Sequence, residues 1–103
     1  MKPVIVRQAA EDDIAAAYAW YEKERPGLGE DFLDSVQTGL LNLSSRPEAF
    51  PVVYAGARRV LLKRFPYGLF FRAFDDAIYV LACTHCKRHP KVWKSQVRER
   101  GNE

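Results

Sequence analysis

Three segments rich in β-branched and aromatic residues, 58–65, 68–74 and 77–85, follow one another with connections of only two residues. Parallel strands need a crossover of a dozen or more residues, so these three must pair antiparallel. Asp75-Asp76 supplies one turn and Pro66-Tyr67-Gly68 the other. Ahead of them the hydrophobic period is helical. Ile14, Ala17, Tyr18 and Tyr21 fall on one stripe and predict a helix over 9–24, with Glu11, Asp12 and Asp13 complementing the dipole in its first turn. Phe32, Leu33, Val36, Leu40 and Leu43 predict a second helix, from 28 or 29 to 43 or 44. Pro26-Gly27 separates the two, and so short a break makes an antiparallel hairpin. Val4-Ile5-Val6 centres a short strand over 2–7, Pro47 and Pro51 bracket a loop, and 91–100 forms a short basic helix or a tail. The order is β-α-α-β-β-β with a possible terminal helix. The class is α+β, an antiparallel sheet with an N-terminal strand and a helical hairpin packed on one face. At 103 residues the chain fits a single domain, 1–103.

One hairpin covers only one face of such a sheet. The strands carry large apolar groups on both. Val60 and Leu62 alternate onto one side with Arg58 and Arg64, while Leu61 and Phe65 share the other with Arg59 and Lys63. In the next strand Leu69 and Phe71 oppose Phe70, Arg72 and Phe74. An uncovered face with Leu, Phe and Arg together is expected to be a binding surface. Charge points the same way. Residues 1–51 hold five Lys/Arg against nine Asp/Glu, net −4, and residues 52–103 hold eleven against four, net +7. That split implies an acidic partner, nucleic acid or protein.

Catalytic and metal signals are thin. Cys83-Thr84-His85-Cys86, with His89 nearby, has metal-ligand residue types, yet no second ligand pair stands elsewhere in the chain, and the motif ends an antiparallel strand. Two reduced cysteines, Cys83 in the core, are expected, with no metal and no cofactor. Ser35, Ser44, Ser45 and Ser95 lack a base, and neither histidine has an orienting carboxylate. The longest apolar run, 77–83, is far below the roughly 20 residues of a membrane span, and the N-terminus lacks a signal core, so the expectation is a cytosolic protein with no membrane partner. Arg58, Arg59, Lys63, Arg64, Arg72, Lys87, Arg88, Lys91 and Lys94, interleaved with Tyr67, His85 and Trp93, are able to grip phosphates and stack bases; they also serve simply to guard sheet edges.

Several motifs in order resemble the RelE/ParE toxin superfamily, with the ParE branch nearest. They are Tyr18 with Trp20-Tyr21-Glu22, then Pro26-Gly27-Leu28-Gly29 with Phe32-Leu33. Pro47 with Phe50-Pro51 follows, then Arg58-Arg59 with Leu61 and Phe65-Pro66-Tyr67. The set ends with Val80-Leu81-Ala82-Cys83-Thr84-His85 and Arg88, Pro90 and Trp93. The resemblance covers nearly the whole chain. It implies the RelE-like fold and a type II toxin neutralised by a ParD-like antitoxin in a complex of 2:2 or higher, meeting DNA only through that antitoxin. It further implies a toxin that inhibits DNA gyrase without catalysis of its own. The expected antitoxin surface is Arg58, Val60, Leu62, Arg64, Phe70, Arg72 and Phe74. The expected target contact is Arg88, Lys91, Trp93, Lys94 and Arg98. Two alternatives stand beside this reading. One is a RelE-like ribosome-dependent mRNA endonuclease using Lys63, Arg64, Arg72 and Arg88, against which no tyrosine follows Tyr79. The other is a non-toxic protein-binding domain.

Overall fold

In a computed structural model, residues 2–87 and 90–101 are described. Arg88 and His89, two of the candidate residues, lie outside them. The elements run β1 (Val4–Val6), α1 (Gln8–Glu24), α2 (Leu28–Ser45), a 3-10 turn (Pro47–Ala49), β2 (Val52–Tyr54), β3 (Ala57–Leu61), β4 (Tyr67–Ala73), β5 (Ile78–His85) and α3 (Pro90–Gly101). They build one five-stranded sheet in the order β1-β5-β4-β3-β2. Among the described residues, no helix is long and apolar enough to cross a membrane.

The helical hairpin forms as the periodicity predicts. Its tight connection depends on two glycines. Gly27 sits at φ +90°, and a Cβ on Gly29 would lie 2.8 Å from the Tyr18 ring. The Glu22 carboxylate, at the end of α1, accepts bonds from the Gly27 and Gly29 amides at 3.1 and 3.0 Å. It therefore caps α2 from the neighbouring helix, where no local side chain does so.

The three expected strands pair antiparallel, β3 with β4 and β4 with β5. β1 joins parallel to β5, Val4 opposite Ile78, with the hairpin and strands β2–β4 lying between them in the chain. β2 adds a strand that the sequence reading left as unassigned chain after Pro51; Val52 lies opposite Arg58. β3 stops at Leu61, short of the expected 65, and 62–66 make the turn into β4.

The hairpin face holds the larger core. Phe32, Val36 and Leu43 of α2 and Ala10 and Ala17 of α1 pack on Val60, Leu62, Leu69, Phe71, Ile78, Val80 and Cys83. Phe32 meets the rings of Tyr21, Phe65 and Tyr67 at 5.3–5.4 Å. The opposite face is where the expectation of an open surface needs correcting. The terminal segment is a helix, and it covers part of that face: Trp93 and Val97 are buried against Ala57, Phe70 and Ala82. Trp93 and Val97 are i and i+4 on a helix whose remaining residues are mostly polar, enough to bury one narrow apolar seam.

Phe32→Ala removes the ring that joins both helices to the sheet. It should lower unfolding free energy by about 3–5 kcal/mol, read as a drop in urea midpoint at unchanged slope.

Candidate functional site

Two regions of the second face bring the chemistry-bearing residues together. The first is the seam under α3. Trp93 stacks on Phe70 with ring centroids 5.1 Å apart at 23°. Arg59 lies over both rings, 5.9 Å from Phe70 and 5.7 Å from Trp93. Lys94 and Arg98 stand over Tyr54 at 5.4 and 5.9 Å. Aromatic faces carry negative potential, so cations lie favourably on them. The seam therefore layers cation and aromatic groups from β2, β3, β4 and α3.

The second region is the clasp that fixes the far end of α3. β1 ends at Val6, so the outer edge of β5 is unpaired by strand beyond Val80. Asp13 of α1 accepts the Cys83 amide at 3.0 Å, and Arg100 of α3 donates to the Leu81 carbonyl at 3.1 Å. Arg100 and Asp13 join each other at 2.6 and 3.4 Å, a two-bonded pair less than a fifth exposed. The pair satisfies the strand edge and ties α1, β5 and α3 at one point. Asp13 was legible only as a helix-dipole residue, and Arg100 only as the end of a basic tail; pairing across 87 positions leaves no local signal. Beside the clasp, Trp20, Tyr21, Tyr67, Thr84, His85 and Val92 line a cleft of about 540 Å³.

The expected antitoxin surface does not form one face. Val60 and Leu62 are 4% and 7% exposed beneath α2, and Phe70 is fully buried beneath α3. Arg58 donates to the Phe50 carbonyl at 2.6 Å. Arg72 donates to the Ala55 carbonyl, packed against Gly101. Arg64, at φ +73°, pairs with Asp31 at 3.5 Å beside the β3–β4 turn. Phe74 is half exposed, in edge contact with Tyr79. The alternation holds from Arg58 to Leu61, but Phe65, expected on the face of Leu61, packs instead on Phe32 in the hairpin-side core, because the strand ends at Leu61 and the period of two ends with it; nor does sequence say which face receives the hairpin. Of the expected target contact, α3 carries Lys91, Trp93, Lys94 and Arg98, with Trp93 turned inward. Among the described residues no group of three or more His, Cys, Asp or Glu is placed to hold a metal ion.

Cys83 is buried, as expected, and burial pushes its thiol up to about 12, with the Asp13 charge adding to it. Cys86 is half-buried, its Sγ 3.5 Å from the Thr84 carbonyl; burial raises its thiol, and the Arg59 charge opposes the rise. Thiolate is the reactive form. At pH 8, iodoacetamide should modify Cys86 first and leave Cys83 unmodified until denaturant is added; equal labelling in the folded protein would contradict the burial. Arg100→Ala should cost about 2 kcal/mol, since it strips a charged donor from Asp13, and should speed amide exchange in 90–101 more than in α2. Uniform acceleration would mean that the clasp does not hold α3 specifically.

With this geometry in hand, relatives are informative. The family profile described as ParE toxin of type II toxin-antitoxin system, parDE, matches residues 4–90. Toxin ParE2 from two strains of Mycobacterium tuberculosis, CDC 1551 / Oshkosh and H37Rv, is 27% identical over 99 residues, covering 92% of this chain and 91% of theirs. A solved chain of the chromosomal ParDE TA system from P. aeruginosa superposes with a TM-score of 0.64 at 22% identity, covering 84% of this chain and 98% of that one, a likeness of fold. The profile spans all five strands and the helical hairpin, and on that match the chain belongs to the ParE toxin family of type II toxin–antitoxin systems.

Proposed function

We propose that this chain is a growth-inhibiting toxin held inactive by a ParD-like antitoxin, and that it acts on DNA gyrase without catalysis of its own. Family membership supports the first half. One observation supports the second. Among the described cations of the expected endonuclease set, Arg72 stands apart from Lys63 and Arg64. Arg64 sits at the β3–β4 turn, paired with Asp31, while Arg72 lies four residues along β4 beyond Gly68, engaged with Ala55. At about 3.4 Å per residue, roughly 14 Å of strand runs from Gly68 to Arg72. Cationic stabilisation of a phosphoryl transition state needs donors converging on one atom. Binding a partner asks less, because a spread of charges sets on-rate and register.

An acidic antitoxin suits the charge of the second half of the chain. The seam under α3 offers it Tyr54, Phe70 and Arg59 if α3 is drawn aside, and α3 in turn carries Lys91, Lys94 and Arg98 toward the target. Induction without antitoxin should arrest growth, and co-expression should restore it. Purified protein should block gyrase supercoiling and leave ribosome-bound transcripts uncut by primer extension. Untouched supercoiling would overturn the gyrase reading, codon-linked cuts would replace it with endonuclease action, and undisturbed growth would leave a non-toxic binding domain.

A further inference from the structure

Arg58, Arg72 and Arg100 each donate to a carbonyl or a carboxylate. The head of Arg59 has neither among the described residues; the polar group beside it is the Cys86 thiol. Its stem crosses β4 over Gly68, where a Cβ would lie 3.1 Å from the arginine Cγ and Cδ and 2.7 Å from the Cys86 sulfur. Its head lies 5.9 and 5.7 Å from the stacked rings of Phe70 and Trp93. A glycine and two rings thus hold one guanidinium in place and leave its donors for a group from outside the chain. A donor already fixed loses little freedom when it binds.

Arg59 lines a depression of about 580 Å³ at the end of the sheet where β5 stops and β3 turns into β4. Lys87 and Arg64 add charge to its wall, and no carboxylate stands among the described wall residues. Lys87 is exposed, and its amide donates to His85 Nδ1 at 3.2 Å, which fixes the chain that carries it. Arg64 stands on the rim and meets Asp31 at 3.5 Å in a pair open to water and weak for that reason. Cations gathered in this way repel one another, and a multiply charged anion replaces that repulsion with attraction. The planar fork of an arginine takes two oxygens of a phosphate, and a lysine supplies a point charge to a third.

The same wall carries apolar surface. Leu61, 58% exposed, lines it with Pro66 and Tyr67, enough to seat a flat ring beside the charges. Beyond Arg64 the surface turns mixed, Asp31 and Asp34 standing with Lys63, so the run of cations ends at the rim. A bounded pocket of cations suits one phosphorylated small molecule better than a long strand, whose backbone needs a continuous basic track.

We propose that the depression around Arg59 binds a nucleotide, its phosphate held by Arg59 and Lys87 and its base laid against Leu61, Pro66 and Tyr67. Titration calorimetry of the purified full chain with AMP and with ADP, at low salt, tests this, and alkylation of Cys86 by iodoacetamide gives a second reading from inside the site. One nucleotide should bind per chain, and saturation should slow Cys86 alkylation several-fold. Lys87→Gln should weaken binding by about tenfold, as loss of one charge-assisted bond does. Arg59→Lys keeps the charge but loses the planar fork, and should weaken binding by as much. Lys2→Gln removes the same charge ahead of β1, at the opposite end of the sheet from Lys87, and should leave binding unchanged. Should Arg59→Lys fail to fold, Lys87→Gln and the protection of Cys86 decide. Absence of binding by either nucleotide overturns the proposal. So does an equal loss in Lys2→Gln, which would mean attraction by net charge alone. Binding that leaves the Cys86 rate unchanged puts the ligand elsewhere and overturns it too. Binding of a single-stranded oligonucleotide but of neither nucleotide assigns the cations to a strand and likewise overturns it. Neither antitoxin nor gyrase takes part, so failure here leaves the gyrase reading untouched.

Discussion

β5 is the strand on which everything else is laid. β1 takes one of its edges and β4 the other, α1 packs on one face and α3 on the other. Ile78, Val80 and Ala82 have no exposed surface, and Leu81 and Cys83 have almost none. A strand covered on both faces reads as a continuous apolar run rather than an alternation, which is how 77–83 reads. Where β1 runs out, the clasp of Asp13 and Arg100 takes over the edge, so burial of the strand is completed by side chains once backbone is no longer available. The position of α3, and with it the accessibility of the second face, follows from that completion.

Much of this was legible. The helices declared themselves through Phe32, Val36 and Leu43 and through Pro26-Gly27, and the two-residue connections settled the antiparallel pairing of β3, β4 and β5. β2 escaped because three residues between Pro51 and the Ala55-Gly56 turn, both residues at positive φ, are too few to show a period. The parallel β1–β5 pairing escaped because a crossover is compatible with either sheet edge. The site was less legible than the fold. Val60 and Leu62 were placed on one face correctly, but the choice between cover by α2 and cover by a partner depends on tertiary packing. Residues 91–100 read as a basic helix or tail, and the apolar seam of Trp93 and Val97 against Phe70, Ala57 and Ala82 appears only in three dimensions.

The same distinction applies to charge. The second half of the chain is net +7, yet much of that charge has internal work. Arg58 holds the Phe50 carbonyl, Arg72 holds the β2–β3 turn at Ala55, Arg100 closes the β5 edge, and Arg59 lies across Phe70 and Trp93. Arginine suits these places because its planar, weakly hydrated head bonds carbonyls and stacks on rings while its stem packs. Lys63, Lys87 and Lys91, by contrast, are exposed, while Lys94 lies partly buried over Tyr54. Counting cations in a sequence overstates the free positive surface for this reason.

The β1–β5 pairing also sets a clock. Val4 cannot find Ile78 until the intervening hairpin and three strands have been made. At about 5–20 residues per second, translation from one to the other takes about 4–15 s. Within that interval the nascent chain completes its hairpin but still lacks the strand that organises both faces, so a growing toxin is unassembled through most of its own synthesis.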